Sequence, residues 1–139
     1  MTPADQIATI ETFLGHVNKG DFEAASLLIH PDFYLIEQPG LPYAGEWCGR
    51  DGFLALMAEA GGTWERWRDT PYPYELAAHG SRVIKEVHFT ATAAATGREV
   101  EMDFAEVFEF ADDLIYKVRA YYWDPEGVRA ATTPTPQDG

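Results

Sequence analysis

The chain has 139 residues, the size of one domain, and 46% of them are hydrophobic, enough to bury a sizeable core. Ten basic residues against 23 acidic give a net charge of −13, which argues against a nucleic-acid or anionic-membrane partner, because phosphate recognition needs a basic face. The single cysteine, Cys48, excludes an intrachain disulfide, no Cys/His cluster has zinc-ligand spacing, and no apolar run approaches the ~20 residues that span a bilayer. The N-terminus lacks the basic region and apolar run of a signal peptide, so a cytoplasmic location is expected.

In chain order, Thr2-Pro3-Ala4-Asp5 reads as a helix start: Thr2 caps, Pro3 suits the first helical position, and Asp5 stands where a capping-box acid belongs. Ile7, Ile10, Phe13, Leu14 and Val17 recur at helical spacing until Gly20. Asp21 caps a second helix carrying Phe22, Ala25, Leu28 and Ile29, which His30-Pro31-Asp32 breaks. A strand over about 33–38 follows and ends in Glu37 before a Pro/Gly loop. Asp51 opens a third helix with Phe53, Leu54, Leu56 and Met57, and Gly61-Gly62 closes it.

The second half is a meander of strands over 72–78, 81–95, 98–110 and 114–124, with turns at Thr96-Gly97 and Ala111-Asp112-Asp113. Residues 126–139 offer little to bury and are expected to form a disordered tail behind one domain spanning 1–125. Helices segregated to one side of a mostly antiparallel sheet predict an α+β fold. If that sheet curls, helices on its concave face enclose a cone-shaped pocket.

Period-two alternation gives each strand two faces. Val100, Met102, Phe104, Glu106, Phe108 and Phe110 share one face, so Glu106 is an acid on an otherwise apolar stripe. Asp103 shares the opposite face with Glu101 and Glu109. In the last strand Tyr116, Val118, Ala120, Tyr122 and Asp124 form one face, like a pocket wall ending in an acid. A hairpin about Thr96-Gly97 brings His88 close to Ala105 and Glu106. Tyr43, in the loop after Glu37, is a candidate ligand contact. Trp47, Trp64 and Trp67 are candidates for pocket lid or core.

The strand ending in an acid, the loop "LPYAGEWCGRDG" and the ending "FEFADDLIYKVRAYYWD" resemble the nuclear-transport-factor-2-like superfamily over about residues 5–125, with the SnoaL-like polyketide cyclases and ketosteroid isomerases as the nearest branches. In ketosteroid isomerases a carboxylate base is paired with a protonated acid that donates to the substrate oxyanion. The resemblance puts Glu37 at the base position and Glu106 at the position of the protonated acid. It puts Val118, Ala120 and Tyr122 on the pocket wall, while Phe13 stands where the isomerases carry their oxyanion tyrosine. His88 beside Glu106 matches the acid/base histidine of a dehydratase branch.

The implied activity is cofactor-free proton transfer next to a carbonyl by Glu37, Glu106 and His88. The substrate is a small hydrophobic, polyketide- or steroid-like molecule held by Phe13, Tyr43, Trp47, Phe104, Val118, Ala120, Tyr122 and Asp124. No metal is implied. A homodimer through the outer sheet face, which carries Arg119, Tyr121 and Trp123, is implied as well. The competing readings are a non-catalytic pocket for a hydrophobic small molecule and a dimerisation module with a vestigial pocket.

Overall fold

The computed structural model describes residues 1–65 and 73–136. Trp67 and the expected strand start at Tyr72 lie outside the described residues. Helix α1 (Pro3–Asn18) has the expected capping box: Asp5 N–H donates to Thr2 Oγ1 and Thr2 N–H to the Asp5 carboxylate, satisfying two end groups of the helix. It buries Gln6, Ile10, Phe13 and Leu14. Helix α2 is one short turn, Phe22–Ser26, capped by Asp21.

Strand β1 (Ile29–Glu37) starts earlier than expected and runs through Pro31, which sits in an irregular stretch of the pairing between Ile29 and Tyr34, where a missing N–H is tolerated. A short strand β2 (Gly45–Cys48) folds back antiparallel onto β1 and places Trp47 opposite Leu35. Helix α3 (Gly49–Thr63) then buries Phe53 and Leu56. Its first turn passes so close to β2 that a Cβ on Gly52 would meet the Trp47 carbonyl carbon at 2.8 Å, so this position requires glycine.

The remaining strands are β3 (Trp64–Glu65), β4 (Tyr74–His79), β5 (Arg82–Ala93), β6 (Glu99–Ala111) and β7 (Leu114–Tyr122). The sheet order is β2-β1-β7-β6-β5-β3, with β4 also on β5, and only β1 and β7 run parallel. This is the expected α+β arrangement: a curled mixed sheet with α1 over β4 and β5, and α3 over β1, β2 and β3. The core is an aromatic and aliphatic cluster between helices and sheet, centred on Phe13, Phe33, Phe53 and Phe108. Among the described residues no helix is long and apolar enough to cross a membrane.

Two departures from the sequence reading shape the site. The β5–β6 hairpin turns through Ala94–Gly97 rather than Thr96-Gly97 alone, closed by Gly97 N–H and Ala93 O at 2.8 Å, with Gly97 at φ +77°. Residues 126–132, expected in a disordered tail, continue from Pro125 as helix α4 (Pro125–Thr132), with Val128 and Ala131 buried in the core.

Candidate active site

Register assembles the site. In β6–β7, Glu106 lies opposite Ala120, and in β5–β6 it lies opposite Lys85. In β1–β7, Ile36 is level with Arg119, so the next residue, Glu37, comes level with Ala120. One row across the inner face therefore reads Glu37, Ala120, Glu106, Lys85. The rows on either side are apolar or aromatic: Leu35, Val118, Phe108 and Val83 on one side, Tyr122, Phe104 and Val87 on the other. Two strand spacings, roughly 10 Å, separate the backbones of the two acids. Only the methyl group of Ala120 stands between them.

The loop after Glu37 completes the site. Gln38 Oε1 accepts the Tyr122 N–H at 2.7 Å, which ties the end of β7 beside the end of β1. Trp47 Nε1 donates to the Tyr43 carbonyl at 3.0 Å and holds the loop so that Tyr43 is buried. Trp64 Nε1 donates to Tyr43 Oη at 3.1 Å, and Tyr43 and Tyr122 share a hydroxyl–hydroxyl hydrogen bond of 2.9 Å. The Tyr122 ring stacks on Phe104 at 4.8 Å and meets Phe89 edge-on.

Glu37 is 6% exposed, and its Oε2 is buried without a hydrogen-bond partner among the described residues. Burial, and then the nearby Glu106 charge, push its pKa well above the ordinary carboxylate value. Burial and then the Glu37 charge push the Tyr43 phenol up as well, and burial is the first cause for Tyr122. Both tyrosines therefore stay protonated and act as donors. Glu106 has a partner that Glu37 lacks: Lys85 Nζ sits 3.3 Å from Glu106 Oε1, both side chains mostly buried.

The structure brings together Glu37, Glu106, Tyr43, Ala120 and Tyr122, with Phe104 and Val118 in the flanking rows. Phe13 is a core ring, 5.5 Å from Phe53 and 6.4 Å from Phe108, and Trp47 supports the Tyr43 loop.

Two sequence-predicted site residues lie elsewhere. His88 is exposed on the outer face, opposite Asp103 instead of Glu106, with Nδ1 2.9 Å from the Asp103 carboxylate. Asp103 and Glu101 raise its pKa. The face of a strand residue is set by alternation, which turns His88 outward with Ile84 and Glu86, and the four-residue turn slides the register so that Lys85, not His88, stands opposite Glu106. Asp124 is exposed and caps α4, accepting the Gly127 N–H at 2.9 Å, with Pro125 at the first helical position.

Lys85 is the residue the sequence reading missed. The alternation of Val83, Val87 and Phe89 would have placed it inside and His88 outside. A cavity of about 690 Å3 opens beside β4, lined by Glu75, Glu86, His88, Asp103, Tyr121 and Trp123 of the outer face and by Tyr74, Val87, Phe104 and Tyr122 of the inner face, and contains neither Glu37 nor Glu106.

The family model of the SnoaL-like domain matches residues 10–118. Among solved structures, an NTF2-like protein from Burkholderia xenovorans superposes with a TM-score of 0.86 at 23% identity, covering 96% of this chain and 99% of that one. A "putative polyketide cyclase" from Xanthomonas campestris gives a TM-score of 0.76 at 18% identity over 94% and 98% of the two chains. A "putative isomerase" from Bacillus subtilis gives 0.71 at 18% identity over 94% and 95%. At these identities the likeness shows the fold. No curated protein matches the chain.

Proposed function

The chain belongs to the SnoaL-like domain family, and on that premise we propose that it is a cofactor-independent isomerase, cyclase or lyase acting in the cytoplasm. It moves a proton next to a carbonyl in a small hydrophobic, polyketide- or steroid-like molecule. The observation that carries this reading is the pair of carboxyl groups flanking Ala120, one with an unpartnered buried oxygen, beside two hydrogen-bonded phenols. The neighbours called polyketide cyclase and isomerase support the same reaction class.

Glu37 in its carboxylate form takes the α-proton. Its raised proton affinity makes it a stronger base than an exposed glutamate. The C–H electron pair passes into an enolate, whose oxygen needs a hydrogen-bond donor. Trp64 can only donate, so Tyr43 accepts from it; with Tyr43 donating in turn to Tyr122, one of the two directions open to that pair, the Tyr122 hydrogen is left for that oxygen. Return of the proton from Glu37 to another carbon completes an isomerisation. Attack of the enolate on a second carbonyl, with the alkoxide taking the proton back, completes a cyclisation.

The test is deuterium uptake from D2O into cyclic enolisable ketones, followed by proton NMR. Exchange at least about a hundredfold above buffer is expected, the contribution of one positioned base. Saturable binding without exchange would replace this reading with that of a ligand-binding protein.

On the same reading, a second copy of the chain covers the outer face. Trp123 is 86% exposed there, and Tyr121 and Ile84 are exposed beside it. The face is unevenly charged: Arg82, Lys117 and Arg119 outnumber Glu109 toward one end, and Glu86, Glu101 and Asp103 outnumber His88 toward the other. A two-fold axis brings unlike ends together. Sedimentation is expected to show a dimer, and Trp123→Glu to weaken it at least about tenfold, or 1.4 kcal/mol. A wild-type monomer at ~100 μM, above the micromolar Kd of even a modest interface, would exclude it.

A further inference from the structure

We infer that Lys85 is a positioning residue that fixes negative charge on Glu106 and so makes Glu37 the member of the acid pair that takes and releases the proton. The inference deepens the proton-transfer reading and rests on it for its catalytic meaning, though not for its test.

The geometry is asymmetric. Glu37, Glu106 and Lys85 occupy one row of the inner face, but Lys85 is next to Glu106 in register and, among the described residues, reaches only that carboxylate, Nζ to Oε1 at 3.3 Å. Glu37 lies two strands further on, with Oε2 unpartnered. The Lys85 ammonium is also 5.6 Å from the centre of the Tyr74 ring on β4, which holds the cation on that side of the row.

Among the described residues, the groups facing the acid pair are few. The phenols of Tyr43 and Tyr122 come from the loop and β7, Lys85 from β5, and Tyr74 from β4. The side chains that α1 and α3 bury are apolar apart from Gln6. Among the described residues one cation therefore serves two acids in a poorly solvated site. The arrangement with least uncompensated charge is Lys85 cationic, Glu106 anionic and Glu37 neutral at rest, and the ionised fraction of Glu37 takes the α-proton. Glu106 in that state repels charge on Glu37, in line with its place among the causes that raise the Glu37 proton affinity.

The experiment is a carboxyl-carbon NMR titration of wild type, Lys85→Met and Lys85→Arg, with signals assigned by Glu37→Gln and Glu106→Gln. In wild type and Lys85→Arg, Glu37 is expected to be the carboxyl that loses its proton last. In Lys85→Met the order reverses, and the Glu37 midpoint falls by about one unit or more as Glu106 takes the proton. Glu106 titrating last in wild type would overturn the inference, which keeps it falsifiable even should Lys85→Met fail to fold. So would an unchanged order in Lys85→Met.

The titration needs no substrate, so the two readings can fail separately. A reversed order without ketone exchange leaves Lys85's role standing and removes the proton-transfer reading. Ketone exchange with an unchanged order removes Lys85's role alone.

Discussion

Glu37→Leu is expected to raise the thermal midpoint while ending proton transfer, and the gain in stability is expected to grow with pH. The pH-independent part comes from removing a buried carboxyl oxygen that has no partner among the described residues. Such a group costs ~1–3 kcal/mol, which corresponds to about 3–10 °C in a domain of this size. The pH-dependent part follows from linkage. The folded state binds the Glu37 proton more tightly than the unfolded state, whose carboxyl titrates near the ordinary value of 4.5. As pH rises above that value, the unfolded state has released a proton that the folded state still holds. Wild-type stability therefore falls with rising pH until the folded carboxyl also ionises.

Leucine has no such dependence. The stability difference between variant and wild type should be smallest at pH 4, widen above it, and level off beyond the folded-state titration of Glu37. Calorimetry from pH 4 to 9 reads it, and a difference constant across that range would mean that Glu37 is not desolvated. The isosteric Glu37→Gln is expected to lower α-deuteration by about 10²–10⁴-fold. A variant that keeps full exchange would hand the base role to Glu106.

The first helix and the inner face of β6 were legible because each rests on one local rule. The capping box at Thr2–Asp5 and the helical spacing of Ile10, Phe13 and Leu14 specify α1. Alternation about Phe104 and Phe108 turns Glu106 inward whatever the strand pairs with. Pairing is non-local, and there the reading failed. His88 was placed from the turn; alternation already turned it outward, and a turn two residues longer slid its partner from Ala105 to Asp103.

Tyr116 was expected on the same face as Val118. An irregularity in the β6–β7 pairing between Glu109 and Phe110 turns it outward, where it meets Tyr34 and His30. Glu37 was legible as an acid at the end of a strand. The partner that distinguishes it from Glu106 was not, because the Lys85 contact exists only once three strands are in register.

The same limit applies to the C-terminus, where Val128→Asp is expected to destabilise the fold severely. The segment Pro125–Thr132 contains one valine, two charged residues and otherwise small ones, a composition that argues against a core. Yet Val128 is fully buried, Ala131 lies one turn later on the same side, and both ends of α4 are tied. Asp124 caps the N-terminus. From the β5–β6 hairpin, the Arg98 guanidinium donates to the carbonyls of Ala130 and Thr133, and Thr96 Oγ1 donates to that of Ala131, so the last carbonyls of the helix are not left bare.

The hairpin turn that displaced His88 is thus also the cap of α4, and the helix in turn holds the turn in its longer form. A carboxylate at position 128 would be buried without a counter-charge, at a cost of ~3 kcal/mol or more and a fall of about 10 °C or more in thermal midpoint. A chain ending at Asp124 should fall by a similar amount, because it loses the same buried contact and the partners of Arg98 and Thr96. Thermal midpoints within ~1 °C of wild type for both proteins, a shift worth only a few tenths of a kcal/mol, would show that the helix contributes nothing to the core. The tail would then be what its composition suggests.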